Sequence, residues 1–471
     1  MKNMICILLT GWILNGDAQI HQMVTAARWG GPQGNGALFT GDSTGHNFQS
    51  VYSFDAATGR WPKGQLTVNA TGMVYGVTEL GGLSDSCVIY GYDLQSNTYT
   101  MLHDFYATIG LGWWDQSGPI LLSDGNLYGL AQAGGAWQGG AIYRFNPVTQ
   151  YYEDIFDFDS TTGNISEGGL LHLSNGKLYG MTLEGGTYNK GTIFSFDPIG
   201  STYTVLHHFI DSSGSNPSYG ALMQASNNKL YGVTKWGGYY QAGVLFSYDL
   251  STSTYTRLHS FNPFAGADPN NTLVQAANGK LYGLCNDGGL HSNGALFSYD
   301  IQTDSFADLH DFDLAHGGRP ESYLMLASNG LLYGTASVGG TYGGGVVFTY
   351  NIDSNLYHLL YEFDSVNAAF PAGTVLEVNI QVVTGISTAP GNPEFKVMPN
   401  PASSAVFIRS LSSITEIKLT DISGRESYVA TKEINPYLFE ANGLESLANG
   451  LYLLKIKCGS LWQTTKLVVQ K

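Results

Sequence analysis

The side chains best equipped for chemistry fall in register along this sequence. His103, His207, His259 and His310 occupy one repeating position, which Tyr52, Phe156 and Tyr361 fill elsewhere. A set of imidazoles suggests a metal centre, but ligands must converge to within ~2.1 Å of one ion. One histidine on each of several separate strands does not converge, so packing between neighbouring units is expected. Asp55, Asp159, Asp313 and Asp364 follow a strand-ending phenylalanine. Such carboxylates ligate calcium, yet no loop concentrates the several oxygens a strong site takes; no cofactor is expected and calcium is unsupported. A second series, Asp42, Asp93, Asn146, Asp197, Asp249, Asp300 and Asn351, reads as Asx-turns after a strand. Asp115, Glu167, Asp268 and Glu321 lie in longer connections. Hydrolysis by paired carboxylates needs two acids some 5–9 Å apart, a distance that sequence does not give. HExxH, CxxC, GxSxG and phosphate-cradling glycine motifs are absent.

The aromatic residues are more telling. Of eight tryptophans, Trp29, Trp61, Trp113, Trp114, Trp137 and Trp236 all fall in two kinds of connecting segment. Two residues beyond each recurring glycine pair stand Gln33, Ser84, Trp137, Tyr188, Tyr240, His291 and Tyr342, mostly rings. Rings gathered on one face stack sugars or grip a protein. The candidate ligand-binding set is therefore Trp61, Trp113, Trp114, Trp137, Tyr188, Tyr240, His291 and Tyr342, with no catalytic residue and no metal ligand assigned. The plainer alternative is that these rings pack their own loops.

The elements that would position these residues come from a tandem repeat. Glycine pairs end at Gly31, Gly82, Gly135, Gly186, Gly238, Gly289 and Gly340. A strand-ending aromatic recurs at Phe54, Phe105, Phe158, Phe209, Phe261, Phe312 and Phe363, and tyrosines of a Leu-Tyr-Gly motif at Tyr75, Tyr128, Tyr179, Tyr231, Tyr282 and Tyr333. Each unit of ~51 residues reads as four strands: a (219–225), b (229–234), c (243–248) and d (255–261) in one example. Pairs such as Asn175-Gly176 and Asn278-Gly279 between a and b predict two-residue I′ turns. Seven such units predict an all-β, seven-bladed β-propeller. Residues 23–31 align with 230–238, and 373–380 read as a strand a. Ring closure would thus combine N-terminal strands b, c and d with a C-terminal strand a.

Composition agrees. The chain has 471 residues, 61 glycines, 13% aromatic content and a net charge of −16. That acidity repels phosphate backbones, so nucleic acid is not an expected partner. Residues 1–18 pair Lys2 with an apolar run and small residues, as a signal peptide does. No other apolar run is long enough to span a bilayer. Four cysteines, Cys6, Cys87, Cys285 and Cys458, are too scattered for a disulfide framework. The expected organisation is a signal peptide (1–18), a propeller (20–383), a Pro/Gly-punctuated linker (384–394) and a small β-sandwich (395–471).

Two resemblances add to this. The run Leu-Tyr-Gly…Gly-Gly…Phe-Ser-Tyr-Asp…Tyr-Thr-x-Leu resembles kelch repeats, departing from them where Phe48, Tyr99, Tyr152, Tyr203, Tyr255, Phe306 and Tyr357 replace the usual Trp. Gly-Thr-Ile-Phe-Ser-Phe-Asp197 and Leu-His-His-Phe209 are closer still to bacterial GloVer-type repeats, which implies a secreted or surface array and no assigned activity. Pro399, Asn400 and Pro401, then Gly424 and Arg425, then Gly450 and Tyr452 within a closing strand, resemble the C-terminal sorting domain of the type IX secretion system. That resemblance implies a Bacteroidetes-type source, the secretion machinery as partner, and a location outside the cell or on its surface. The leading functional expectation is a non-catalytic binding propeller for a glycan or extracellular protein. Its rivals are an extracellular carbohydrate-active enzyme, hydrolase or lyase, with loop-face acids, and a purely structural surface module.

Overall fold

The computed structural model describes residues 18–42, 44–105, 117–269, 271–364, 368–382, 395–398, 402, 404–410, 414–421, 425–427, 430–435, 438–458 and 461–469. The chain forms two compact units, Met1–Val383 and Thr384–Lys471. Among the described residues of the first unit there are seven antiparallel sheets. Sheet 5 is representative: strand a is Met223–Gln224, b is Leu230–Thr234, c is Val244–Asp249 and d is Thr254–Ser260, hydrogen-bonded in that order. Strand a, expected over seven residues, pairs over only two, as it does in Leu171–His172 and Met325–Leu326 of other sheets.

Sheet 1 is built from both ends of the unit. Its N-terminal strand Ala18–Trp29 pairs with Ala37–Asp42 on one edge and with Leu376–Val382 on the other. The latter pairing runs over seven residues, from Ala18 opposite Val382 to Val24 opposite Leu376.

The repeated motifs have identifiable causes. In strand b the Gly of Leu-Tyr-Gly lies across from an aromatic of strand c, as Gly232 does from Phe246. A Cβ on Gly232 would meet that ring at 2.7 Å, so the glycine is the seat of the ring. The tyrosine hydroxyl accepts from an asparagine four residues earlier, at 2.8 Å for Asn175–Tyr179, Asn227–Tyr231 and Asn278–Tyr282 alike. These a–b turns are not the two-residue I′ turns expected. Only the third loop residue has positive φ (Gly176, +79°), and Leu173 pairs with Lys177 across a three-residue loop. The Asx reading of the c–d position holds: Asp249 Oδ1 accepts from the Ser251 N–H at 2.9 Å. Both members of each glycine pair adopt positive φ, for example Gly237 at +85° and Gly238 at +75°. Two such residues in succession are tolerable only without a Cβ.

Buried clusters join each sheet to the next, and one cluster containing Phe39, Phe48, Tyr333 and Phe363 joins sheet 7 to sheet 1. At every junction but one a ring of one strand d stacks on a ring of the following strand d: Tyr52 on Tyr99 at 4.0 Å, His207 on Tyr255 at 4.0 Å, His259 on Phe306 at 3.9 Å. At the junction of sheet 7 with sheet 1 the contact is tilted instead, Tyr361 meeting Phe48 at 5.7 Å and 50° between planes. The histidine column is thus a packing column, and the tyrosines standing where kelch repeats carry Trp are its stacking partners. Cys87 and Cys285 are buried.

The second unit has two four-stranded sheets sharing one core that includes Val406, Ile408, Leu419, Leu454 and Ile456. Arg425 is exposed, Gly450 opens the strand Gly450–Cys458, and the largely buried Tyr452 donates its hydroxyl proton to the Ala448 carbonyl at 3.1 Å. Pro399, Asn400, Pro401 and Gly424 lie outside the described residues. Among the described residues no helix is long and apolar enough to cross a membrane.

Candidate functional site

The connections b–c and d–a come together on one face. Ser215, in a d–a segment, bridges to Trp236 at the end of strand b, and Gly318 bridges to Val338 in the same way. The d–a segment ends on a residue with left-handed backbone: Trp61 (+62°), Ile165 (+53°), Asn216 (+54°), Asp268 (+54°), Arg319 (+51°) and Phe370 (+56°). Each spends its N–H on a carbonyl in the b–c loop of the preceding sheet, as Trp61 does to Asn35 at 2.8 Å and Asp268 to Ala242 at 3.1 Å. Non-glycine residues hold this conformation only where the surroundings fix it. The result is a column of varied side chains set beside a second one at the ends of the b strands: Arg28, Glu79, Gln132, Leu183, Lys235, Asn286 and Ser337.

Charged and aromatic groups from both columns meet on this face. Arg28 Nη2 donates to Glu79 Oε2 at 2.5 Å, one repeat away, and Lys63 Nζ stands 3.8 Å from Glu79 Oε1. Glu79 is 2% exposed. Lys63 also lies over the Tyr219 ring, 4.4 Å from its centre. Burial holds its ammonium below the usual lysine value, opposed by Glu79 and Glu321. Lys235 pairs with Asp268 at 3.7 Å. Asp268 is pushed up to about 6, first by burial and then by Asp287 and Glu321, against the pull of Lys235. Glu167 accepts from Ser218 Oγ at 2.7 Å and Gln132 Nε2 at 2.8 Å.

The inner strands line an open recess of about 570 Å³, with Leu66, Met223, Val274, Met325 and Leu376 on its wall, but at the loop-face end there is little space. The Tyr323 hydroxyl donates to the Tyr219 carbonyl across two non-neighbouring sheets, and Gln65 N–H donates to Ser117 at 2.7 Å. The recess lined by Lys63, Gly64, Tyr219, Glu321, Ser322 and Tyr323 has a volume of about 10 Å³, room for one water. A ligand on this side must therefore lie across the face. Among the described residues no group of three or more His, Cys, Asp or Glu is disposed to hold a metal ion. The aspartates after strand d are turn caps: Asp159 Oδ1 accepts from Thr161 and Thr162, and Asp55 Oδ1 from Thr58.

The expected aromatic residues divide into two groups. Trp61 joins the inner group: the guanidinium of Arg28 lies 5.8 Å from its ring centre and that of Arg60 5.4 Å, while Trp29 packs on Phe370 at 4.6 Å. Trp137, Tyr188, Tyr240, His291 and Tyr342 are exposed, each on the glycine-pair loop of its own sheet. Those loops lean over strand d. The N–H after the glycine pair donates to the last side chain of strand d, as Leu83 does to Asp104 at 2.7 Å and Leu290 to Asp311 at 2.7 Å. These rings are thus exposed one per sheet, on the glycine-pair loops of sheets 3 to 7. Trp113, Trp114 and Asp115 lie outside the described residues. Arg28, Lys63, Glu79, Tyr219 and Lys235 were missed in the sequence. For Arg28, Glu79 and Lys235 a signal was present: they share one column at the end of strand b, where the repeats change from charged to polar to apolar while the preceding residue stays small (Ala, Thr or Cys).

Comparison with known proteins bears on fold and location. The Gloeobacter/Verrucomicrobia repeat profile matches residues 17–224 and 200–394, and the secretion system C-terminal sorting domain profile matches 396–470. A comparison with curated proteins gives no match. Among solved structures, a candidate 6-phosphogluconolactonase from Bacteroides uniformis is 12% identical with a TM-score of 0.51, covering 76% of this chain and all of that one. A quinonprotein alcohol dehydrogenase-like protein from Bacteroides thetaiotaomicron is 13% identical with a TM-score of 0.48, covering 76% of this chain and 78% of that one. At such identities the first likeness is one of fold alone, an all-β, propeller-like architecture. The chain belongs to the Gloeobacter/Verrucomicrobia repeat family, and its C-terminal sorting domain directs it through the type IX machinery to the cell surface or beyond.

Proposed function

We propose that the seven sheets are the blades of one closed propeller, sealed where 376–382 pairs with 18–29, and that its loop face binds a glycan or an extracellular protein without catalysis. The observation that carries this reading is the exposure of large rings on one face. Trp137 is 70% exposed and Trp236 50%, with Tyr188, Tyr240 and Tyr342 also exposed. Water-facing rings on loops fixed by a rigid scaffold are suited to stacking on sugars or on a partner surface. To this face we assign Trp61, Trp137, Tyr188, Tyr240, His291 and Tyr342; Trp113 and Trp114, outside the described residues, stay candidates on their sequence alone. The experiment is a polysaccharide and protein panel against the purified chain, scored for retention and for cleavage. Trp137→Ala combined with Tyr240→Ala should weaken retention at least about tenfold, with the melting temperature unchanged. Retention equal to the parent's removes these rings from the site. One feature favours the rival reading, a hydrolase or lyase: Asp268, on the same face, is a buried carboxylate pushed up to about 6 by that burial. Products appearing in the panel and lost in Asp268→Asn would establish it.

A further inference from the structure

Resting on that binding role, the corner formed by Arg28, Trp29, Arg60 and Trp61 separates one class of glycan from the rest. Its chemistry is clearest beside the equivalent corner of sheet 5. There Lys235 and Trp236 stand where Arg28 and Trp29 stand in sheet 1, and the left-handed residue facing them is Asp268. Asp268 sits 3.7 Å from the lysine and offsets its charge. In sheet 1 the left-handed residue is Trp61, so an indole occupies the place of that carboxylate.

At this corner three cations, Arg28, Arg60 and Lys63, stand against two carboxylates, Glu79 and Asp85. The Arg28 carboxylate partner, Glu79, lies beneath it at 2% exposure, while the arginine side chain itself is 28% exposed. Arg60 adds a second guanidinium, paired to the well-exposed Asp85. Among the described residues, each guanidinium commits one Nη2 donor to its carboxylate, and the Nε of each makes no hydrogen bond. Both Nε atoms are buried, so an incoming acceptor would meet only the exposed part of each side chain, 28% of Arg28 and 25% of Arg60. This concentration is unusual in the chain: residues 20–383 contain eleven Lys and Arg in a protein of net charge −16, and Arg28, Arg60 and Lys63 all lie at this corner. Trp29, 44% exposed and backed by Phe370, supplies a flat apolar wall beside them.

Planar donors that bind carboxylate in a fork, set between indoles that stack on the C–H face of a sugar ring, describe a receptor for an acidic saccharide. We propose that this corner anchors a uronic acid residue of a polysaccharide, the carboxylate lying against Arg28 and Arg60 and the ring against Trp29 or Trp61.

The test titrates the full chain with three probes: polygalacturonate, its fully methyl-esterified form, and a neutral galactan. Polygalacturonate should bind at least about tenfold more tightly than its ester, the worth of one charged hydrogen bond, and the preference should shrink as salt is raised. Arg60→Gln should erase that preference with the fold intact, because the Arg60–Asp85 pair is a surface pair worth little to stability. Trp29→Leu should weaken the acid and the ester alike. Equal affinity for acid and ester, or a preference surviving Arg60→Gln, overturns the uronate assignment and leaves the binding role standing. Failure to retain any member of the wider panel overturns both.

Discussion

Replacing Gly232 with Ala tests the packing rule behind the Leu-Tyr-Gly motif. The backbone of Gly232 is ordinary strand, so the substitution introduces no dihedral strain. Its new Cβ would lie 2.7 Å from Phe246 Cζ and 3.0 Å from Leu222 Cδ2, both side chains of a close-packed interior. Overpacking of this kind costs about 1–3 kcal/mol. Stiffening the unfolded chain by the same change returns about 0.4–1 kcal/mol. The net loss should be about 1–2 kcal/mol, read as a lower urea midpoint at unchanged m-value. Phe246→Leu should be costly alone, yet in the Gly232→Ala background it should cost less, with a coupling of about 1 kcal/mol or more in the double-mutant cycle. Gly330 is the control. No atom lies within 4 Å of its Cβ position, its φ is +81°, and the equivalent residue of sheet 5 is Asn228 at φ +63°. Gly330→Asn should stay within about 0.5 kcal/mol of the parent. Strictly additive losses for Gly232 and Phe246 would show that the ring is not seated on the glycine, and the steric account would fail.

The histidine column makes stability sensitive to acid. Burial lowers the values of His103, His259 and His310 and brings His207 down to about 4 from 6.5. A histidine whose folded value lies below its unfolded one contributes stability in full above about 6.5, and that contribution is lost as pH falls from there through about 4. Asp268 is displaced in the opposite sense, so the informative quantity is the difference curve between the parent and His207→Phe, a residue type found in this column at Phe156. That variant should lose less stability between pH 7 and pH 4, measured by urea midpoint; parallel curves would refute the role given to His207. Removal of residues 384–471 should leave the remaining chain inside the outer membrane of a type IX-competent host, measured by fractionation, and release into the medium would contradict the sorting assignment.

Much of this architecture was legible because a repeat spells each rule six or seven times. Tyrosine in Leu-Tyr-Gly, aromatic residues in strands c and d, and a paired glycine after strand b could each be read as a column before any contact was known. Two local expectations failed in their backbone detail. A turn of Asn-Gly type also suits a three-residue loop with the glycine left-handed, and strand a joins its ladder over only two residues, Met223 and Gln224. The charged centre escaped notice for a different reason. Arg28 and Glu79 are 51 residues apart, and Lys63 and Tyr219 further still, so their meeting depends on how sheets stand beside one another. No single-repeat pattern carries that information. The exposed loop aromatics were visible as a column, but their lean over strand d, set by bonds such as Leu83 to Asp104, was not.

The pairing of 18–29 with 376–382 also governs the order of events during synthesis. A partner found some 350 residues later is the most distant kind of contact a chain can make, and such contacts slow folding. Until that last segment emerges, the first strand keeps a bare hydrogen-bonding edge, the kind of surface that chaperones hold and proteases sample. Completion of the polypeptide thus acts as its own checkpoint: a prematurely terminated product carries an open seam at its N-terminus and, lacking residues 395–471, no pass for export.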